Sequence, residues 1–307
     1  MAIENNLIFS TGNYRYLKDR IIAQGGFLYG EIEKKTFPDG ERYLRILTDV
    51  DGRDVVLVGG TISDSDTLEL YDLAYAIVRN GALSLTVVIP YYGYSTMERA
   101  VKPGEIVTAK TRASLFSSLP QTSRRNRFMF MDLHSEGLPH YFEGSVLPMH
   151  LYCKSIILAS AQKLGGDNFV LACTDSGRAN WVESLANDLK VNAAFVFKRR
   201  ISGEATEITA ISADVEHKTV VIYDDMVRTG STLINAANAY SEAGASRIFV
   251  ITTHGLFTRD ALNEIRDKTS ISAIICTDTH PNAVALENDF LKVESVASLI
   301  AEKLKEF

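Results

Sequence analysis

The chain has 307 residues, 46% of them hydrophobic, and a formal net charge of −6 at pH 7. Such a composition supports a packed core and excludes a disordered chain, and the acidic balance argues against a nucleic-acid surface. Cys153, Cys173 and Cys276 are odd in number and form no CxxC pair, so neither a disulfide framework nor a zinc site is expected, and each reads as a buried, reduced thiol. The opening MAIENNLIFSTG has no basic start, and no stretch approaches the ~20 apolar residues of a membrane helix. The expectation is a soluble, cytoplasmic protein without membrane or nucleic-acid partners.

In chain order, short apolar runs predict strands at Asn6–Ser10, Asp54–Val58, Ser84–Pro90, Arg127–Met131, Phe169–Cys173, Ala193–Phe197, Thr219–Tyr223, Arg247–Thr252 and Ile271–Thr277. Between them, amphipathic patterns predict helices at Asp66–Asn80, Thr108–Ser118, Leu151–Leu164, Trp181–Leu189 and Thr232–Ala243. Continuous apolar strands alternating with helices imply parallel sheets covered on both faces, an α/β architecture. Glu33–Leu47 alternates differently around a Pro-Asp-Gly turn and reads as a hairpin or flap.

The chain also repeats itself. The stretch from Arg53 aligns with that from Lys218: Val55-Val56-Leu57 falls on Val220-Val221-Ile222, Thr67-Leu68 on Thr232-Leu233, and Gly81-Ala82 on Gly244-Ala245 after a short gap. Both copies read strand, loop, helix, glycine stop, strand, which implies two similar α/β domains, at 1–150 (flap 33–47) and 151–307. The copies differ at one place: Asp224-Asp225 of the second is Gly59-Gly60 in the first.

Asp224 and Asp225 fall at the carboxyl end of a strand, where open α/β sheets bind ligands. The loop beyond them, Met226–Thr232, places Gly230 among hydroxyls at the start of a helix. Amide groups at a helix start, with Thr and Ser hydroxyls, form a phosphate seat, and neighbouring carboxylates suit ribose hydroxyls. Local chemistry alone also fits a solvated Asp-Asp turn with a Ser/Thr cap.

Val221–Leu233 resembles the phosphoribosyl-diphosphate (PRPP) binding motif of type I phosphoribosyltransferases and of PRPP synthases. The rest of the chain selects the synthases. FPDGE (Phe37–Glu41) resembles their ATP flap, and SDTLEL (Ser65–Leu70) their Asn-Asp-Asn-Leu-Met-Glu-Leu stretch. IPYYGY (Ile89–Tyr94), TAK (Thr108–Lys110), MDLHSEG (Met131–Gly137), FKRR (Phe197–Arg200) and THGLF (Thr253–Phe257) come in family order. The resemblance implies two tandem type I phosphoribosyltransferase-like domains, each a mostly parallel sheet flanked by helices. The first would be a degenerate copy.

The implied activity is transfer of the β,γ-diphosphate of ATP to the 1-hydroxyl of ribose 5-phosphate, with magnesium as cofactor and AMP released. His134, with Asp132 beside it, would hold Mg-ATP, and Asp175 would serve a second magnesium. Taken alone, the Asp-Leu-His reads as a strand end with a hydrogen-bonded histidine, since magnesium prefers oxygen ligands. Lys198 and Arg200 would clamp the diphosphate ahead of a polar, patternless stretch that reads as a mobile lid; taken alone they read as a solvated basic turn. Phe37, Asp39 and Glu41 would contact the nucleotide. Asp224, Asp225, Thr229, Gly230, Ser231 and Thr232 would hold the acceptor. In many family members the flap works across a subunit interface, so a homo-oligomer, dimer or hexamer, is implied.

Three departures stand out. After Gly93-Tyr94 the family's Ala-Arg-Gln-Asp-Arg reads Ser95-Thr96-Met97-Glu98-Arg99, so Arg99 and Lys102 become candidate ATP contacts. The family's Asp-Ala-Gly-Gly reads Asp175-Ser176-Gly177-Arg178, and the acid usual before Thr-Gly is Arg228. Arg178 and Arg228 would add positive charge at the acceptor end, where guanidinium pairs with phosphate bidentately. ADP-ribose, with a free 1-hydroxyl and a diphosphate, is therefore an acceptor to weigh beside ribose 5-phosphate, and would place the enzyme in NAD metabolism. A catalytically silent, synthase-associated regulatory subunit is the alternative.

Overall fold

A computed structural model describes the backbone of residues 6–174, 176–202 and 205–307, and the side chains of these residues apart from 176, 197–202 and 205–210. The chain divides into two compact units. Unit 1 takes in residues up to Tyr152 together with Ala297–Phe307, and unit 2 is Cys153–Val296.

Unit 1 contains β1 (Asn6–Ser10), α1 (Arg15–Ile22), β2 (Phe27–Tyr29), β3 (Ile32–Thr36), β4 (Arg42–Ile46), β5 (Asp54–Val58), α2 (Asp64–Arg79), β6 (Ser84–Ile89), α3 (Thr108–Ser117), β7 (Arg127–Met131) and β8 (Leu147–Leu151). Its six-stranded sheet runs β2-β1-β5-β6-β7-β8, all neighbours parallel. On one face β5, β6 and β7 carry Leu57, Val87 and Phe128 into a core shared with Leu70, Leu73 and Ile77 of α2 and Phe116 of α3, and on the other Val56, Val88 and Met129 are buried as well. β3 and β4 stand apart as a two-stranded antiparallel hairpin.

Unit 2 contains α4 (Lys154–Gly165), β9 (Phe169–Cys173), α5 (Ala179–Leu189), β10 (Asn192–Ala194), β11 (Val196–Ser202), β12 (Ala205–Ile211), β13 (Thr219–Val227), α6 (Ser231–Glu242), β14 (Arg247–Gly255), α7 (Ala261–Lys268), β15 (Ile271–Thr277), α8 (Pro281–Ala285) and β16 (Leu291–Glu294). Its sheet, β10-β9-β13-β14-β15-β16, is again all parallel and repeats the order of unit 1, second strand first. Val220, Ile222, Val250 and Ile274 meet Leu233, Ala236 and Tyr240 of α6 in its core. The hairpin β11–β12 is inserted between second and third sheet strands, as β3–β4 is in unit 1. The two copies therefore agree down to the inserted hairpin.

Two expectations change. The stretch from Ile201, expected as a patternless lid, continues β11 and pairs back as β12: Ala205–Ile211 is rich in the Thr and Ile that suit a strand. The second domain was expected to run to Phe307, but α9 (Ala297–Leu304) packs against α1 of unit 1, burying Ile300, Ala301 and Leu304. Arg127 of β7 also lies over the Phe307 ring, 4.7 Å from its centre.

The replacement of the acid pair by Gly59-Gly60 in unit 1 has a packing cause. Thr11 and the fully buried Tyr14 fill the space at Gly59 and Gly60, and a Cβ on Gly60 would collide with the Tyr14 phenol. Gly60→Ala should cost ~1–3 kcal/mol by overpacking. A denaturation midpoint equal to that of the unsubstituted protein would contradict this.

Candidate active site

β13 pairs with β9 only as far as Tyr223 opposite Cys173, but with β14 as far as Val227 opposite Gly255. The strand therefore runs on past the expected end at Tyr223, held on one side alone. Asp224 and Asp225 sit in this one-sided stretch. Asp224 accepts from Thr174 Oγ1 at 2.9 Å and from the Asp225 amide at 3.0 Å. Asp225 is buried, and its Oδ2 lies 2.6 Å from the Arg178 guanidinium. Arg178, expected as an added cation for the acceptor, balances a carboxylate whose burial alone would be costly.

The loop beyond enters α6 through Gly230, whose φ is +81°. A Cβ there would meet Ile265 Cγ1 at 2.7 Å, so conformation and space both demand glycine. The Thr229 and Ser231 hydroxyls lie 3.2 Å apart, and Thr229, Ser231 and Thr232 are exposed. α6 has no side-chain cap and no acid in its first turn. Its counterpart α2 is the opposite: Ser63 accepts from the Asp66 amide at 3.1 Å, and Asp64 and Asp66 occupy the first turn. One helix start thus carries a serine cap and two carboxylates in its first turn, while the other carries neither.

Arg228 is exposed and pairs with no carboxylate among the described residues; its carbonyl accepts from the Thr258 amide at 2.9 Å. That bond joins the loop to a cleft of about 330 Å³ lined by Thr229, Ser231, Arg259, Asp260, Glu264 and Lys268, among others.

The expected ATP residues lie on unit 1. Phe37, Asp39 and Glu41 form the β3–β4 turn, where the Glu41 amide donates to Asp39 Oδ1 at 3.0 Å and the Phe37 ring is 48% exposed. Asp132 is buried with φ +34° just past β7, and His134 comes next on a partly exposed loop. Arg99 and Lys102, with Thr96 and Met97 just before them, lie on a separate exposed segment, where Arg99 Nε lies 3.6 Å from Glu98 Oε1. Among the described residues no three His, Cys, Asp or Glu converge as a metal cage. That donor set still fits magnesium, which commonly takes one or two protein carboxylates and completes its shell with substrate phosphates and water. Asp175 lies outside the described residues. Lys198 and Arg200 lie on β11, with their side chains outside the described set.

Sequence reasoning missed several partners. His150 Nε2 accepts from the Leu133 amide at 2.9 Å, bracing the Asp132–His134 loop, and its ring lies against Tyr152. Arg112 donates to Asp64 at 2.7 Å, as does Tyr94 at 3.0 Å. These residues are distant in sequence from the motifs they support, so spacing carried no signal.

Two parallel α/β units of one topology, one with an acid pair feeding a hydroxyl-rich helix start, define a tandem phosphoribosyltransferase-like protein. Residues 6–119 match the N-terminal domain of ribose phosphate pyrophosphokinase, and residues 179–307 the phosphoribosyl synthetase-associated domain. Ribose-phosphate pyrophosphokinases of Fusobacterium nucleatum and Porphyromonas gingivalis are 31% and 33% identical to this chain, over 98% and 99% of it and 94% and 96% of their own lengths. The fold is that of phosphoribosylpyrophosphate synthetase from Mycobacterium smegmatis, with TM-score 0.85, 24% identity and 98% of each chain covered. The chain belongs to the ribose-phosphate pyrophosphokinase family and is a diphosphotransferase.

At the same sheet end, β14 and β15 present a second buried polar group. His254 Nδ1 lies 2.8 Å from Thr279 Oγ1, and His280 Nδ1 accepts from the Asn282 amide at 3.2 Å. Burial, reinforced by His254, pushes the His280 imidazole down to about 4. The unfolded chain takes up that proton near pH 6.5, so stability is full above that pH and falls towards pH 4, by ~3 kcal/mol. His280→Asn, which retains a cap for the Asn282 amide, should flatten this pH dependence. Parallel unfolding-midpoint curves for the two proteins between pH 7 and 4.5 would contradict the assignment.

Proposed function

We propose that the protein transfers the β,γ-diphosphate of Mg-ATP to the 1-hydroxyl of a ribose 5-phosphate group, releasing AMP. The observation that carries this reading is the contrast between the two helix starts: α6, beyond two carboxylates, has no acid in its first turn and is lined by exposed hydroxyls, while α2 is capped by Ser63 and carries Asp64 and Asp66 in its first turn. The amides at the start of α6 and the Thr229, Ser231 and Thr232 hydroxyls would take the 5′-phosphate. Asp224 and Asp225 would orient the ribose through its hydroxyls. The 1-oxygen forms its bond to the β-phosphorus as the bond from that phosphorus to the α,β-bridging oxygen breaks, the bridging oxygen leaving with AMP and the 1-hydroxyl proton passing to water. Lys198 and Arg200 would offset the charge on the moving group.

On unit 1, Phe37, Asp39 and Glu41 would hold the nucleotide, Asp132 and His134 the Mg-phosphate group, and Arg99 and Lys102 are candidate contacts to the nucleotide. Bound magnesium would neutralise phosphate charge during transfer. Asp175 would hold a second ion. The exposed Phe37 tip suits a homo-oligomer in which a neighbouring copy completes the nucleotide site, and the reading places the enzyme in the cytoplasm.

Relatives named for ribose phosphate, and the engagement of Arg178 by Asp225, favour ribose 5-phosphate as acceptor. A specific observation keeps ADP-ribose as a second reading: Arg228, with no carboxylate partner among the described residues, and the cleft beside the phosphate loop would suit a second phosphate and the nucleoside attached to it. Incubation with Mg-ATP and each acceptor, read by AMP release and phosphorus NMR, separates the two. Ribose 5-phosphate should yield AMP, and Asp224→Asn should lower kcat/KM for it roughly tenfold to a hundredfold, the worth of ~1.5–3 kcal/mol for a charged hydrogen bond. AMP with ADP-ribose alone, lost in Arg228→Asp, would establish the extended acceptor. No AMP with either would leave the regulatory subunit.

A further inference from the structure

The repeat exposes a function for Glu69, a residue of α2 that the reaction does not employ. Its carboxyl group is 95% buried, yet three donors from three parts of unit 1 reach it. Oε1 accepts from the Gly12 amide, in the loop after β1, at 2.9 Å. Oε2 meets Lys34 Nζ of β3 at 2.5 Å and the Arg42 guanidinium of β4 at 3.3 Å. Arg42 also donates to the Ser65 carbonyl at 2.8 Å. Both strands of the hairpin are thus tied to one carboxylate on the body of the unit.

The hairpin needs such a tie. β3 and β4 join no other strand, and an isolated two-stranded hairpin is marginally stable in water. Ile32, Leu44 and Ile46 give it an apolar footing on the core, but Lys34 and Arg42 supply the directional bonds. Beyond the tie the turn Phe37–Glu41 stands in solvent, so its aim is set by the strands that carry it.

The comparison with unit 2 says what the carboxylate replaces. The first pairs of the two hairpins are Ile32 with Ile46 and Val196 with Ile211. Counting from them, Lys34 occupies the position of Lys198. In the sequence alignment Glu69 falls on Ile234, so unit 2 has no carboxylate at that place. Unit 1 supplies an internal anion to a hairpin lysine whose counterpart, Lys198, would meet the diphosphate of the substrate.

We propose that Glu69 is a positioning residue, an internal anion that fixes the β3–β4 hairpin in one pose so that its tip is preorganised for ATP. This rests on the reading of the flap as the nucleotide contact. Preorganisation lowers the ordering cost of binding, so loss of the tie should appear in KM for ATP far more than in kcat.

The test compares the full-length protein with Glu69→Gln, which keeps shape and loses charge. Lys34→Met removes one bond from the exposed hairpin and leaves the body of the unit untouched, and Lys34→Arg restores a cation. Amide hydrogen exchange of residues 31–47 without nucleotide reads the tie; KM and kcat for ATP read its use. The expected result is faster exchange confined to the hairpin in Glu69→Gln and Lys34→Met, with KM for ATP raised about tenfold, kcat within twofold, and near-recovery in Lys34→Arg. Unchanged exchange in Lys34→Met overturns the tie itself. Faster hairpin exchange with unchanged KM upholds the tie and overturns the reading of the flap as the ATP contact.

Discussion

A helix that leaves its first amide groups without an acceptor must find one elsewhere, and this protein answers that constraint in two ways. At α2 the answer is internal: Ser63 caps the helix, and Asp64 and Asp66 stand in its first turn. At α6 no side chain caps, no acid stands in the first turn, and Gly230 bends the chain so that hydroxyls surround the opening. The other differences between the two units fall along the same division. Tyr14 and Thr11 fill the space behind Gly59 and Gly60, whereas β13 keeps its acids beyond the last bond to β9.

Charge is arranged with the same economy. Asp225 is buried and takes Arg178 as its partner, and Glu69 is buried and takes Lys34 and Arg42. A buried carboxylate that loses its partner is strongly destabilising, so these pairs hold loops in place by the cost of breaking them. In unit 2 the pair steadies the mouth of the cradle. In unit 1 it steadies a flap.

Much of this was legible in the sequence, for identifiable reasons. β1, β5, β7, β9 and β15 fall on the residues expected because each is an apolar run buried on both faces, and such runs begin and end abruptly. The short edge strands β2, β8 and β16 were not foreseen: β2 is only three residues long and largely exposed, β8 and β16 mix polar with apolar residues, and Pro148 interrupts the pattern of β8. The acid pair, the hydroxyl loop and the start of α6 at Ser231 were readable because local chemistry dictates them. The partnership of Arg178 with Asp225, and the convergence of Gly12, Lys34 and Arg42 on Glu69, were not readable. Those contacts depend on which loops the sheet order brings together, and a single sequence carries no trace of that.

The central claim is that the start of α6, and not that of α2, is the phosphate seat. Backbone amide NMR during titration with ribose 5-phosphate tests it most directly. The account predicts that the amides of Thr229, Gly230, Ser231 and Thr232 shift and saturate together, while those of Ser63, Asp64 and Asp66 stay in place. Shifts centred on Ser63–Asp66, with the 229–232 amides unmoved, would contradict it.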